Sequence, residues 1–235
     1  MNVSKTESWN NMDFKSNNRY FHRSYKMLYA GLPLAIIGGV VVFGKFFRWY
    51  IHVQNAFTVM FAVGIMLVLF FLVSFPRDGE FDRGIKNKIR DIRATAEQKI
   101  TALEHTPHFG DNYLAEGFAY GEGTCELKRG SDGIFRTDIY SAAQLIITVK
   151  RLYVYSMRFS TVKDETETDF AAIEFDSIQD VSIKEELVEV TYGKKHGAVR
   201  CAFFCIKTDE KEYFFITHAD SLADTMAKKI LLRKS

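Results

Sequence analysis

The 235 residues of this chain contain few groups that could form a catalytic or metal site. The three cysteines include one C-x3-C pair, Cys201 and Cys205, but no second pair that would complete a zinc site. Residues four apart in a strand lie about 13 Å from each other, so this pair does not supply two ligands to one metal. No glycine-rich loop runs into a G-K-[ST] motif, and none of the six histidines belongs to a nucleophile–base motif. The sequence therefore predicts a protein that is not an enzyme and binds no cofactor or metal.

Charged side chains are absent from two long apolar stretches, the 18 residues 27–44 and the 20 residues 56–75. As helices they would extend roughly 27 and 30 Å, which matches a hydrocarbon core of about 30 Å. They predict a transmembrane hairpin, residues 27–75, with spans at 27–44 and 56–75. One copy is not a transporter, because an ion or proton path needs polar or ionisable side chains within the membrane.

The basic residues that flank these stretches predict the orientation of the hairpin. Five Lys or Arg precede the first stretch, only two lie between the stretches, and seven follow within residues 76–105. By the positive-inside rule both termini are expected in the cytoplasm, at the inner membrane of a cell. Residues 1–26 are interpreted as a flexible cytoplasmic tail. Residues 106–235 carry 17 basic and 21 acidic groups, a balance that argues against a nucleic-acid partner.

Small residues recur on one face of the first span, at Gly31, Ala35 and Gly39. Such a ladder allows close approach of another helix in lipid. That helix is either the second span of the same chain or a helix of a neighbouring subunit.

A charged segment, residues 76–111, is predicted to form a juxtamembrane amphipathic helix from about Asp82 to Glu104, followed by a linker. Its apolar residues form a narrow stripe close to a heptad seam. The stripe consists of Ile85, Ile89, Ile92, Ala96, Ile100 and Leu103. Two interpretations stay open: packing on the chain's own β domain, or a short coiled coil that joins subunits.

From residue 112 the pattern changes to the alternation that is typical of strands, with turn residues between them. Strands are predicted near 113–120, 124–129, 134–140, 143–149, 151–159, 169–175, 178–184, 186–192, 198–207 and 211–217. An amphipathic helix is expected from about Ser221 to the end. The predicted fold class is an α+β membrane protein: a two-helix transmembrane hairpin, a juxtamembrane helix, and an antiparallel β domain over 112–235 that is closed by a terminal helix.

Part of this β domain resembles the bacterial pleckstrin-homology-like domains. Residues 145–156, LIITVKRLYVYS, resemble a two-strand hairpin of that family, and residues 172–183, AIEFDSIQDVSI, resemble its strand–turn–strand. The resemblance covers roughly 140–235 and implies a PH-like barrel or sandwich that acts as a binding or scaffolding module. In phosphoinositide-binding members, clustered Lys and Arg contact the ligand. Here the resemblance implies Lys128, Arg129 and Arg136 as contacts for an anionic ligand, and Lys194 and Lys195 lie at a predicted hairpin tip that could touch anionic lipid.

These observations support three functional hypotheses. The first is a membrane-anchored scaffold or adaptor whose β domain binds protein partners or sister subunits, as a homo-oligomer or part of a membrane complex. The second is an oligomerising, ligand-gated membrane effector or pore whose β domain senses a small signal such as a nucleotide. The third is a sensor of anionic lipid.

Overall fold

A computed structural model describes most of the chain. The described residues are 12–44, 50–90, 92–104, 110–121, 126–192 and 195–234. They divide into two compact units: one within residues 15–81, and a second formed by the described residues from 82 onward together with residues 12–14.

The first unit contains most of α1 (Phe14–Phe21), all of α2 (Lys26–Gly44) and α3 (Ile51–Val73), and the beginning of α4 (Asp78–Ile89). Both α2 and α3 are long and apolar enough to cross a membrane. Helix α3 begins five residues before the predicted second span, because Ile51 and Val53 extend its apolar surface. Helix α1 lies within the segment interpreted as a tail, and the sequence analysis did not predict it.

Glycines bring α2 and α3 into close contact. A Cβ atom on Gly38 would lie 2.7 Å from the backbone nitrogen of Phe61, and one on Gly31 would lie 2.8 Å from Cβ of Leu67. A Cβ on Gly64 would overlap the backbone of Ala35. The two helices therefore approach each other at a distance that larger residues would prevent.

Two helices, α4 (Asp78–Ile89) and α5 (Ile92–Glu104), occupy the region predicted as a single helix from Asp82 to Glu104. The turn at Arg90 ends α4, and the apolar stripe continues on α5 from Ile92. The described residues therefore give two helices where one was predicted, and Asp91 between them lies outside the described residues.

The second unit contains nine antiparallel strands and a terminal helix, which confirms the coarse prediction of helices followed by antiparallel sheets. The strands are β1 (Asn112–Phe118), β2 (Leu127–Arg129), β3 (Phe135–Thr137), β4 (Ile139–Ile147), β5 (Arg151–Ser160), β6 (Thr166–Glu174), β7 (Ile178–Tyr192), β8 (Lys195–Thr208) and β9 (Glu212–Thr217). They form a four-stranded sheet in the order β1-β4-β5-β6, a small β2-β3 hairpin and a three-stranded sheet in the order β7-β8-β9. The terminal helix is α6 (Ser221–Lys234).

One strand, β7, replaces the two strands predicted at 178–184 and 186–192. The two predicted strands were divided at Glu185, but every residue of the charged run Lys184–Glu186 pairs with β8, as Glu185 does with Ala202. A strand tolerates successive charges where both of its faces meet solvent, and these three residues are exposed.

The core lies between the two larger sheets and α6. It contains residues from β1, β4, β5, β6, β7, β8 and β9, and α6 contributes Ala223, Met226, Ala227 and Ile230. Among the strands that the structure describes, no ladder joins the four-stranded sheet to the three-stranded one, so the sheets do not close into a barrel.

Helix α5 packs on β4 and β5, on the face of their sheet that points away from this core. The Tyr153 hydroxyl donates to Oε1 of Glu104 at 2.8 Å, and the Lys99 ammonium lies 4.4 Å from the ring centre of Tyr155. This covering explains why Leu152, Tyr153, Val154 and Tyr155 are all buried, whereas a strand with one solvated face would alternate.

Candidate functional site

A cavity of about 380 Å³ lies beside β1 and the first turns of α6. Its wall combines acidic, aromatic and apolar side chains. The residues that line it are Asp111, Asn112, Tyr113, Leu114, Glu116, His218, Asp220, Leu222, Thr225, Met226 and Lys229. The volume is within the range of small-molecule sites, which makes this cavity a candidate for a ligand site in the β domain.

Glu116 is the most unusual group in the cavity wall. It lies on β1 opposite Ala142, on the strand face that also carries Leu114 and Phe118. Its Oε2 is buried and accepts no hydrogen bond from any residue in the described part of the chain. Burial raises the pKa of the Glu116 carboxyl, and the nearby His218 and a hydrogen bond with Tyr140 only partly oppose this shift. A carboxyl group in this environment favours a proton or a hydrogen-bond donor from a ligand.

Two further contacts shape the cavity. The hydroxyl groups of Tyr113 and Thr217 form a buried hydrogen bond that links β1 to the end of β9. Burial raises the pKa of Tyr113, so this hydroxyl stays protonated. On the rim, the Lys229 ammonium on α6 lies 2.6 Å from Oδ1 of Asp111.

The charged and polar groups of the wall limit which ligands the cavity can hold. Asp111 is already paired with Lys229, and Glu116, Asp220 and His218 also line the wall. Two carboxyl groups beside one imidazole favour amines or neutral hydrogen-bond donors over phosphate-bearing ligands such as nucleotides. Within the described ranges, no group of three His, Cys, Asp or Glu side chains is placed to hold a metal ion.

The residues predicted to contact an anionic ligand do not form one accessible cluster. Arg136 is only 2% exposed and is the centre of an ion-pair network. Its guanidinium donates to both carboxylate oxygens of Asp82 at 2.7–2.8 Å and to both of Asp132 at 2.7–2.9 Å. The prediction that Arg136 contacts an anionic ligand is therefore corrected. Its buried side chain binds Asp82 on α4 and Asp132 on the β2-β3 hairpin, and so joins these two elements.

The other residues predicted to contact an anion lie at different positions of the β domain. Arg129 is exposed, donates to the backbone oxygen of Gly133 at 3.3 Å, and lies 5.6 Å from the ring centre of Phe135. Lys128 is half-buried on β2. Lys194 and the side chain of Lys195 lie outside the described residues, so their predicted contact with lipid stays a prediction.

Five of the six residues in the predicted oligomer seam are buried within the single chain. They are Ile85, Ile89, Ile92, Ala96 and Ile100, each at most 6% exposed, whereas Leu103 is 59% exposed. Of the two interpretations, this burial favours the one in which the stripe packs on the chain's own β domain. A coiled coil between subunits would require α4 and α5 to leave the sheet.

In the predicted helix-packing ladder, Gly31 and Gly39 are buried and Ala35 is half-buried. All three face α3 of the same chain, where Gly64 and Phe61 meet them. Gly38 and Gly64 belong to the same contact and were not predicted. The sequence does contain a signal for both residues. Gly38 forms a pair with Gly39 in the first span, and Gly64 is the single glycine of the second span.

The sequence analysis did not single out Glu116 or Tyr113. A signal for Glu116 is present, since the segment Leu114-x-Glu116-x-Phe118 places a charge between two apolar residues on one strand face. The link from Tyr113 to Thr217 has no such signal, because 104 residues separate them. Comparison of the chain with protein-family models, curated proteins and solved structures finds no match.

Proposed function

We propose that this protein is a membrane-anchored, non-enzymatic scaffold whose cytoplasmic, PH-like β domain binds protein partners or sister subunits. Three features of the chain support the proposal. The two charge-free helices α2 and α3 can serve as an anchor. Only four residues separate α3 from α4, so the connection from the anchor to the following charged helix is short. The two packed sheets and the terminal helix α6, which contributes to their core, agree with the resemblance to PH-like domains.

The observation that carries the proposal is the exposed end of the β7-β8 ribbon. Strand β8 pairs with β7 along Lys195–Thr208 but with β9 only along Ala202–Lys207. The first seven residues of β8 therefore have one free edge among the described strands. On the neighbouring strand, Leu187 is 70% exposed. An open strand edge beside an exposed apolar side chain is a surface on which a partner can add a strand.

The test is native mass spectrometry of the tagged full-length protein after gentle extraction from its own membrane. We expect masses at multiples of 27.0 kDa, or additional masses from other proteins. Leu187→Asp should remove them, and Val149→Asp, at a turn residue that is 75% exposed, should keep them. A single unaccompanied chain from wild-type membranes would contradict the proposal.

A second candidate function is the ligand-gated membrane effector, and the cavity beside Glu116 favours it. A small ligand there would contact β1 and α6, and the Arg136 network joins the same β domain to α4. The test is expression in cells that contain a dye for membrane potential. Depolarisation on addition of a ligand supports this function, and a constant potential under every stimulus counts against it.

A further inference from the structure

A groove of about 290 Å³ opens at the end of the helical hairpin where α2 begins and α3 ends. One side carries basic groups, from Arg19 on α1, from His22 just after α1 and from Lys26 at the start of α2. The floor is apolar and is formed by Met27, Phe70 and Phe75. All of these residues belong to the same compact unit, Lys15–Phe81.

Helix α1 is held in place by an aromatic cluster, so its basic residues have fixed positions. Tyr20 and Phe81 are each 1% exposed and stack with their ring centres 4.4 Å apart. Phe21 meets both rings edge-on, and the Tyr20 hydroxyl donates to Oδ1 of Asp78 at 2.7 Å. Such aromatic pairs contribute beyond the area that they bury, which makes α1 a defined wall of the groove.

The connection between α1 and α2 is fixed in a similar way. The guanidinium of Arg23 lies 4.6 Å from the ring centre of Phe71 and 4.9 Å from that of Phe75. These cation–π contacts hold a positive charge at the end of α3. Arg19 and Lys26 have exposed side chains and, within the described part of the chain, no acidic side chain pairs with them.

We infer that this groove binds the headgroup phosphate of one anionic phospholipid, whose acyl chains lie along the apolar floor. The inference rests on the proposed membrane anchoring, because the groove then lies at the cytoplasmic interface, where anionic headgroups are found. A free phosphate would meet the same basic groups. The apolar floor of Met27, Phe70 and Phe75 favours the lipid, since it continues into the surface of the hairpin.

The experiment uses the full-length protein in detergent micelles, titrated with phosphatidylglycerol or with phosphatidylcholine and observed by native mass spectrometry. We expect the wild type to retain one phosphatidylglycerol at a lipid concentration at least tenfold lower than phosphatidylcholine. The double variant Arg19→Gln, Lys26→Gln should lose this preference, because each basic group near anionic lipid contributes roughly fivefold to affinity. The control Lys15→Gln, Arg77→Gln removes the same charge from exposed positions outside the groove and should keep the preference.

Three results would overturn the inference: equal retention of both lipids, equal losses in the two double variants, or displacement of the lipid by millimolar inorganic phosphate. Extraction of membranes with alkaline carbonate separates this failure from that of the proposed function. Protein that resists extraction but shows no lipid preference refutes the groove alone. Protein released by carbonate refutes the membrane anchoring and the inference together.

Discussion

Glu116 carries a carboxyl group whose pKa is raised by burial, and one of its oxygens has no donor among the described residues. Because the pKa of this carboxyl is higher in the folded than in the unfolded chain, its protonated form stabilises the fold. This contribution to the free energy of unfolding is complete below the pKa in the unfolded chain, about 4.3, and is lost as the pH rises through the pKa in the folded chain. We therefore expect Glu116→Gln to unfold at a higher temperature than the wild type at pH 7, with a gain of about 1 kcal/mol. The gain should vanish below about pH 4, where the carboxyl is protonated in both states.

Thermal unfolding of the full-length protein in micelles, followed by circular dichroism at pH 7 and pH 4, measures this difference. The exposed Glu167 on β6 provides the control, since Glu167→Gln should change stability little at either pH. A stability loss in Glu116→Gln at pH 7 would show that the ionised carboxylate is required where it lies.

Arg136 illustrates a second effect at the scale of one residue, because a single buried guanidinium binds two carboxylates in a fork geometry. Lysine keeps the charge but cannot reproduce the four N–H···O bonds. We expect Arg136→Lys to lower the free energy of unfolding by about 1–3 kcal/mol, less than for a fully buried pair because Asp82 and Asp132 are partly exposed. Arg158→Lys, at an exposed residue of β5, should have little effect.

The same network predicts a dependence on acid. Hydrogen bonds from Arg136 hold the pKa of Asp132 well below its usual range. Because the pKa of Asp132 is lower in the folded than in the unfolded chain, its ionised form stabilises the fold. This contribution to the free energy of unfolding is complete above the pKa in the unfolded chain, about 3.9, and is lost as the pH falls through the pKa in the folded chain. The deficit of Arg136→Lys should therefore narrow in strong acid. A deficit that is constant with pH would mean that packing, rather than the ion pairs, accounts for the loss.

At the scale of elements, the sequence predicted most helices and strands but not the surfaces that they share. The apolar stripe of α4 and α5 is visible in the sequence, but the sequence did not show that α5 packs on the outer face of β4 and β5. The continuous apolar run Leu152–Tyr155 indicated that second covered face. Helix α1 was missed because only Phe14, Tyr20 and Phe21 of its eight residues are apolar, and its aromatic partner Phe81 follows about 60 residues later.

The hairpin of α2 and α3 gives a prediction about an element contact. In Gly64→Leu, the new side chain would enter the space of the α2 backbone at Ala35, so the helices must separate. We expect a loss of about 1–3 kcal/mol, the usual cost of overpacking, seen as a lower thermal midpoint of the helical signal in micelles. Gly84→Leu on α4 is the matched control, because no atom lies within 4 Å of the new Cβ and helix propensity improves.

A different result would reassign this contact. If Gly64→Leu keeps the midpoint but changes the number of chains per particle, the glycine face joins subunits instead of the two helices of one chain. The interpretation with a neighbouring subunit would then replace the packing within the hairpin.

At the scale of the whole molecule, the sequence predicted the order of the parts: apolar helices first, then antiparallel sheets and a terminal helix. This order follows from local periodicity, which a single sequence contains. The cavity could not be predicted in the same way, because its walls come from β1 and from α6, more than 100 residues apart in the chain. Contacts between distant segments depend on how the sheets pack against each other. The periodicity of either segment alone does not encode that packing.

The predicted orientation can be tested on the whole molecule with single cysteines. Replacing the three native cysteines by Ser leaves a chain in which Tyr50→Cys lies between the two apolar helices and Asp164→Cys lies in an exposed turn of the β domain. We expect a membrane-impermeant thiol reagent to label Tyr50→Cys in intact cells and Asp164→Cys only after the membrane is opened, because basic residues concentrate on the side of the β domain. The wild type with its native cysteines is a useful control, since burial raises the pKa of both Cys201 and Cys205 and slows their reaction. Labelling of Asp164→Cys in intact cells would place the β domain outside and would contradict a scaffold that acts in the cytoplasm.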